Sequence, residues 1–256
     1  YPLSKSGKIH LLKYDLLKKN ILFDLKNIEI FIHNSAITKS KKIISNNNLL
    51  NTNIKLTKKA LIISKKLKTK FFFFISSTSV YRDSKKFLYN ERSKTQGKDP
   101  YSASKLIGEK ICREFCKKNK IKFSVLRIGN IYSGYEKSKW SRANVSTMQI
   151  WLNNNKNNKI LRTNSFNTLR DWTYLKDIPH VVDSLIKNKN NFKILNLVSP
   201  YIYRDIDIMK KISKDKNLFK TRNKEAIHNA TYSLYKDKIK FKNWTSIQRG
   251  INLIKK

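Results

Sequence analysis

The sequence predicts an α/β protein built on a buried parallel sheet, and three observations carry that prediction. Phe71–Ile75 is an apolar run too short to span a membrane and rich in strand-forming aromatics, so it reads as a strand covered on both faces. A segment of good helix formers opens at Asp99-Pro100, where proline disfavours helix in the residue before it. Another strand candidate, Phe123–Ile128, follows that helix. Strand, helix and strand in that order make the unit from which parallel sheets are assembled.

Ser76, Ser77 and Thr78 sit at the end of the first strand, and Tyr101 and Lys105 on the first turn of the helix. Four residues apart, the phenol and the ammonium share one helix face and act on one small target. The spacing alone says little: tyrosine is followed four residues later by lysine at Tyr1, Tyr14, Tyr81, Tyr101, Tyr135 and Tyr232. Of these, Tyr101 alone has a buried strand before it, a proline opening its helix and a further strand after it.

Upstream, Ile28–Ser35 reads IEIFIHNS and is expected to be another buried strand, followed by a helix from about Asn51 to Lys66 with apolar positions Ile54, Leu61 and Ile62. A short helix is expected at residues 17–25. The helix running to about Lys118 carries Ile107, Ile111 and Phe115 at helical spacing, expected mostly as core. Residues 134–162 are loop-rich and polar, with one amphipathic helix near Val145–Leu152. Further helices are expected at Asp177–Leu185 and Thr245–Ile251, with a last short strand at Lys193–Val198.

Four segments together resemble the extended short-chain dehydrogenase/reductase family, the NAD-dependent sugar epimerases and dehydratases. They are Ser76-Ser77-Thr78-Ser79-Val80-Tyr81, Pro100-Tyr101-Ser102-Ala103-Ser104-Lys105, Arg127-Ile128-Gly129-Asn130-Ile131-Tyr132 and Arg170-Asp171-Trp172, in the family's order and at about its spacing. The resemblance runs from about Asp15 to Ile254. It implies a Rossmann-like doubly wound parallel sheet over residues 1–133, with a small C-terminal substrate lobe and returning sheet strands in 134–256. It also implies NAD or NADP as cofactor, a nucleotide-sugar as substrate, a homodimer formed through the outer face of the Tyr101 helix, and a cytoplasmic enzyme. By the same resemblance Ser77, Tyr101 and Lys105 are the catalytic set. Asp15, Leu16, Ser35, Ala36, Asn53 and Ile128 join Tyr101 and Lys105 around the cofactor, and Asn130, Asn144 and Arg170 contact the substrate. Read from the residues alone, Asp15 and Asn144 each equally suit a helix cap; the resemblance, which puts acid–base chemistry elsewhere, implies that His33 is structural.

The family's dinucleotide-binding strand is followed by G-x-G-x-x-G, whose glycines let the backbone approach a pyrophosphate at a helix N-terminus. The six glycines here, at 7, 97, 108, 129, 134 and 250, include no such cluster. By resemblance His10–Leu16 matches the family's third strand, so the glycine loop and its two flanking strands are expected to precede Tyr1, and the C-terminal end is expected to be complete. Two further departures stand out. Arg82 replaces the glycine that follows Val-Tyr in relatives, and Thr78 and Ser79 stand where dehydratases carry acids, which favours an epimerase or a simple oxidoreductase.

Composition narrows the alternatives. A chain of 256 residues buries a substantial core, and neither a transmembrane run nor a signal peptide is expected from it. Cys112 and Cys116 lie one helical turn apart and read as reduced thiols; with His10, His33, His180 and His228 scattered, no metal is expected. The net charge of +39, from 56 Lys and Arg against 17 Asp and Glu, would attract nucleic acid, anionic membrane or phosphorylated substrates. Its spread along a chain rich in Lys, Asn, Ile and Phe favours compositional drift over a nucleic-acid role. The alternatives are a cofactor-free relative that binds RNA or a protein partner, and an inactive fragment.

Overall fold

The computed structural model describes residues 15–17, 27–38, 45–81, 88–139, 144–188, 192–222 and 230–255. Most of the expected strand at 10–16 and of the helix at 17–25 lies outside the described residues, as do Arg82, His10 and His228.

Four strands, β1 (Ile30–His33), β2 (Phe71–Ser77), β3 (Lys122–Ile128) and β4 (Ile194–Leu197), form a parallel sheet in that order. Register places His33 opposite Phe74, Ser77 opposite Ile128, and Ile128 opposite Leu197. Alternate β2 side chains point to opposite faces, and both faces are covered, which is why the run is apolar without a break. On one face Phe72 and Phe74 meet Ala60 and Leu61 of α1 (Asn46–Lys66) and Cys112 and Cys116 of α2 (Pro100–Lys118). On the other, Phe73 and Ile75 meet Val181, Val182 and Leu185. These belong to the helix Asp177–Lys187, which with β4 returns from the second half of the chain. Full burial of each such phenylalanine contributes about 2–3 kcal/mol.

Helix α2 starts where it does because its first amides are satisfied. The Asp99 carboxylate accepts from the N–H groups of Tyr101 (2.9 Å) and Ser102 (3.1 Å), Ser102 Oγ accepts from the Asp99 N–H (3.2 Å), and Pro100 fills the first helical position. Its buried side is small or polar: Ser104, Lys105, Gly108, Glu109, Cys112 and Cys116. At Gly108 an added Cβ would lie 2.5 Å from the Phe74 ring, so glycine is what lets this helix sit close on β2.

That packing corrects in part the expectation that Ile107, Ile111 and Phe115 are mostly core: Ile111 and Phe115 pack against the cluster beneath α1 and α2, while Ile107 faces outward. Ile107 is 38% exposed and the other two are half-buried, because the face turned to the sheet is the small-residue stripe. In α1, Leu61 is buried while Ile62 is exposed. The expected buried strand at 28–35 shortens to Ile30–His33 and is only partly covered. Among the described residues it pairs on one side, with β2, and Ile32 is 46% exposed.

A separate core gathers Met148, Trp151, Met209 and Ile251 from three further helices, α3 (Thr147–Lys156), α5 (Asp205–Ile212) and α6 (Ile247–Lys255), with Tyr132, Leu161 and Trp172 from the short strands and turns between them. The Asp177–Lys187 helix is α4. Ser146 caps α3 by accepting from the Gln149 N–H at 3.2 Å, so the capping role considered for Asn144 falls to Ser146, and Asn144 is exposed before the helix. Short ladders tie this lobe to the sheet, among them Ile131–Tyr132 with Thr173–Tyr174 and Leu88–Tyr89 with Ala230–Thr231.

Candidate active site

Parallel strands bring their carboxyl ends to one edge, the place where open α/β sheets hold ligands. Here that edge presents Ser77 from β2 and Gly129 and Asn130 after β3, and a cleft of about 370 Å³ is lined by Ser77, Thr78, Ser79, Tyr81, Asn130 and Thr231. Asp99, the cap of α2, lines it too, which sets the start of the Tyr101 helix at its rim. Ser77 Oγ accepts from the Ser79 N–H at 3.2 Å, holding the turn that follows the strand.

The Lys105 ammonium lies 5.6 Å from the centre of the Tyr101 ring and 5.3 Å from that of Phe74, and donates to the Ile75 carbonyl at 2.8 Å. It is 4% exposed. Burial brings its pKa down to about 8, opposed by the nearby Cys112 and Glu109. At neutral pH it therefore keeps its charge beside the phenol. His33 on β1 packs 5.6 Å from the Phe74 ring and shares a hydrogen bond with Thr57 Oγ1 at 3.2 Å. Burial first and Lys105 second bring it to about 4, so it is neutral, as a structural histidine would be. Burial also pushes the two thiols up, Cys116 to about 12, which leaves both unreactive.

The other expected residues are spread between the strand ends and a second cavity. Asn53 is buried and acts as a brace: its side chain accepts from the Ile37 N–H (2.8 Å) and donates to the Ile37 carbonyl (2.9 Å) and to Ser104 Oγ (3.0 Å), tying the loop after β1 to α2. Ser35, exposed, and Ala36, half-buried, lie on that loop, and Ile128 ends β3. Asn130 is held by Asp171, whose Oδ1 accepts from both its backbone N–H (3.2 Å) and its side chain. Arg170 donates from Nε to Asp205 Oδ1 at 2.9 Å and lies over the Trp172 ring at 5.9 Å. It lines a second cavity, of about 350 Å³, together with Arg162, Arg222, Ile150 and Ile160. Asp15 is exposed, its carboxylate accepting from the Leu17 N–H at 3.0 Å; Leu16 beside it is half-buried.

Sequence reasoning missed a buried polar network beneath the cleft. Glu109 accepts from Arg127 Nε (3.0 Å) and Nη2 (2.7 Å) and from Ser76 Oγ (2.6 Å). The Arg127 guanidinium lies 4.9 Å from the Tyr81 ring centre, and Tyr81 donates to Asn196 Oδ1 on β4 at 2.6 Å. Asp171, fully buried with its pKa raised by that burial, holds Thr231 by its N–H (3.0 Å) and by Oγ1. One signal pointed to the network. An arginine in the apolar run FSVLRI requires a buried partner, and Glu109 stands one turn beyond Lys105 on the same helix.

Among the described residues, no group of three His, Cys, Asp or Glu side chains is placed to hold a metal, and no helix is long and apolar enough to cross a membrane.

Comparisons with known proteins bear on the fold and the family. Residues 2–197 match the model of the NAD dependent epimerase/dehydratase family. A curated dTDP-D-glucose 4,6-dehydratase from Dictyostelium discoideum is 27% identical over 225 residues, covering 81% of this chain and 49% of the relative, so the chain spans about half the length of that protein. The UDP-glucuronic acid 4-epimerase of Bacillus cereus in complex with NAD superposes with a TM-score of 0.70 at 21% identity, covering 90% of this chain and 73% of the other. The UDP-N-acetylglucosamine 4-epimerase of the same organism gives 0.74 at 17% identity, covering 90% and 77%. The likeness confirms the expected Rossmann-like α/β fold. The chain belongs to the NAD dependent epimerase/dehydratase family.

Proposed function

We propose that this chain carries the acid–base half of a nucleotide-sugar epimerase or a related NAD-dependent oxidoreductase. The observation that carries the reading is the buried Lys105 ammonium 5.6 Å from the Tyr101 ring, on a helix whose cap lines the same cleft as Ser77. Tyr101 Oη would take the proton from a sugar hydroxyl and return it. A free tyrosine titrates near ~10, and a neighbouring cation favours its phenolate. Ser77 Oγ would donate to the reacting oxygen and align it, and Asn130, fixed by Asp171, would contact the sugar.

The described residues fit the nicotinamide end of a dinucleotide. The Lys105 ammonium would hold the nicotinamide ribose, and Ser35, Ala36 and Ile128 lie at the same strand ends, with Asn53 bracing their loop. The six glycines of the chain supply no cradle for its pyrophosphate, and Asp15 and Leu16 are assigned to the adenine end by resemblance alone. When bound, NAD would supply reversible hydride transfer at a sugar carbon. Arg170 would grip the substrate diphosphate, in a cavity that Arg162 and Arg222 make electropositive and whose Ile150 and Ile160 wall suits a planar base. Asn144 would reach the substrate from the loop before α3. Thr78 and Ser79, in place of acids, support epimerisation or simple oxidation over dehydration. Exposed Ile62 and Ile107 on the adjacent helices α1 and α2 support pairing of two copies there.

The test is turnover of a panel of UDP- and dTDP-sugars with NAD. Tyr101→Phe should lower turnover by about 10²–10⁴-fold while the melting temperature stays put. Retained turnover in that variant would sink the assignment.

A further inference from the structure

We propose that Glu109 is a positioning residue for the acid–base pair, holding the Tyr101–Lys105 helix in register with the strand ends and keeping the Lys105 ammonium charged. The inference rests on the reading of Tyr101 and Lys105 just given. Its basis is geometric. Glu109 stands one helical turn beyond Lys105, on the same face, and is 4% exposed. Its two oxygens receive three hydrogen bonds, two from Arg127 on β3 and one from Ser76 on β2. Ser76 immediately precedes Ser77, and Arg127 lies three residues before Asn130. One carboxylate thus joins the helix carrying the phenol and ammonium to both strands whose ends line the cleft. A salt bridge with no site to serve would gain little here, since burying two charges costs about as much as their attraction returns.

The groups around the ammonium leave Glu109 as its anionic neighbour. On α2 it faces the Tyr101 ring, Cys112 and Glu109; from β1 comes His33, and from β2 the Phe74 ring and the Ile75 carbonyl. Arg127 on β3 reaches it through Glu109. His33 is neutral; Cys112 and Glu109 both oppose the desolvation of the lysine, and since burial holds the Cys112 thiol protonated, Glu109, ion-paired with Arg127, is the one of the two that carries charge. Among the described residues, Glu109 is the carboxylate acting on Lys105.

The experiment is an NMR titration of the protein labelled with ¹³Cε-lysine, the Lys105 signal being assigned by its loss in Lys105→Arg. In the wild type the midpoint should lie near 8. In Glu109→Gln it should fall by about one pH unit or more, a tenfold loss of proton affinity, while Glu109→Asp, which keeps the charge, should restore most of it. Should Glu109→Gln leave Arg127 unpaired and the fold unstable, Glu109→Gln/Arg127→Gln is read against Arg127→Gln alone, so that the effect of losing the cation cancels and the shift due to the carboxylate remains. An unmoved midpoint in the Gln variants, or an equal fall in Glu109→Asp, overturns the proposal. The titration uses neither substrate nor NAD, so its outcome is separable from that of the Tyr101→Phe turnover test. Where turnover is measured, the alkaline limb of its pH profile should move down with the midpoint, which loss of packing alone would not cause.

Discussion

Replacement of Gly108 by alanine tests whether the close seat of α2 on β2 is what sets the site. The new Cβ would stand 2.5 Å from Phe74 Cζ and 3.3 Å from each neighbouring ring carbon. Ordinary carbon contacts lie at about 3.5–4.0 Å, so roughly 1 Å of movement must come from the ring or from the helix. The ring has little room: it is 1% exposed, with the His33 ring at 5.6 Å and the Lys105 ammonium at 5.3 Å. Overpacking of this kind costs about 1–3 kcal/mol, while alanine gains about 1 kcal/mol over glycine in a helix interior. The net is a loss of up to about 2 kcal/mol, lowering the melting temperature by about 2–4 °C per kcal/mol in a chain of this size. Turnover should fall as well, because the same displacement moves Lys105 from the Ile75 carbonyl. Thermal melts and urea titrations measure the first effect directly. An alanine variant as stable as the wild type, with unchanged turnover, would refute the reasoning.

Two further perturbations report on buried charge. His33, with a folded pKa of about 4 against 6.5 when free, binds its proton more weakly in the folded state. Its stabilising contribution is therefore complete above pH 6.5 and lost as pH falls towards 4. The stability difference between wild type and His33→Asn should shrink over that window by about 3 kcal/mol at most; a flat difference would contradict it. Arg170→Met should destabilise by about 3 kcal/mol, since Asp205, 0% exposed, is left unpaired. Adding Asp205→Asn should recover most of that in a chemical melt. Nucleotide-sugar affinity should stay low in the double variant, and recovered affinity would remove Arg170 from the diphosphate.

The sheet edge was legible because local signals agreed. Phe71–Ile75 is apolar on both faces because both are covered, and Asp99-Pro100 caps α2 as its composition requires. The orientation of α2 was not legible. Periodicity points to Ile107, Ile111 and Phe115 as core, yet the helix turns Ser104, Gly108 and Cys112 to the sheet, leaving Ile111 and Phe115 at the margin of the core and Ile107 outside it, because close packing on an aromatic strand selects small residues over large ones. The network of Glu109, Arg127, Tyr81 and Asn196 was hidden for a different reason. Its members are up to 115 positions apart, and in a chain with 56 basic residues one arginine carries little weight until the strand around it is seen to be buried.

The cavity shared by Arg162, Arg170 and Arg222 has a consequence for the kinetics of encounter. A diphosphate approaching a protein of net charge +39 is drawn in from well beyond contact, and the attraction weakens over a Debye length of about 8 Å at physiological salt. The same field gathers every other phosphate in solution, so on the proposed reading a nucleotide-sugar would arrive quickly at a cavity that free nucleotides and inorganic phosphate would reach as well. Discrimination would then rest on how long each ligand stays, which the uncharged wall at Ile150 and Ile160 would decide.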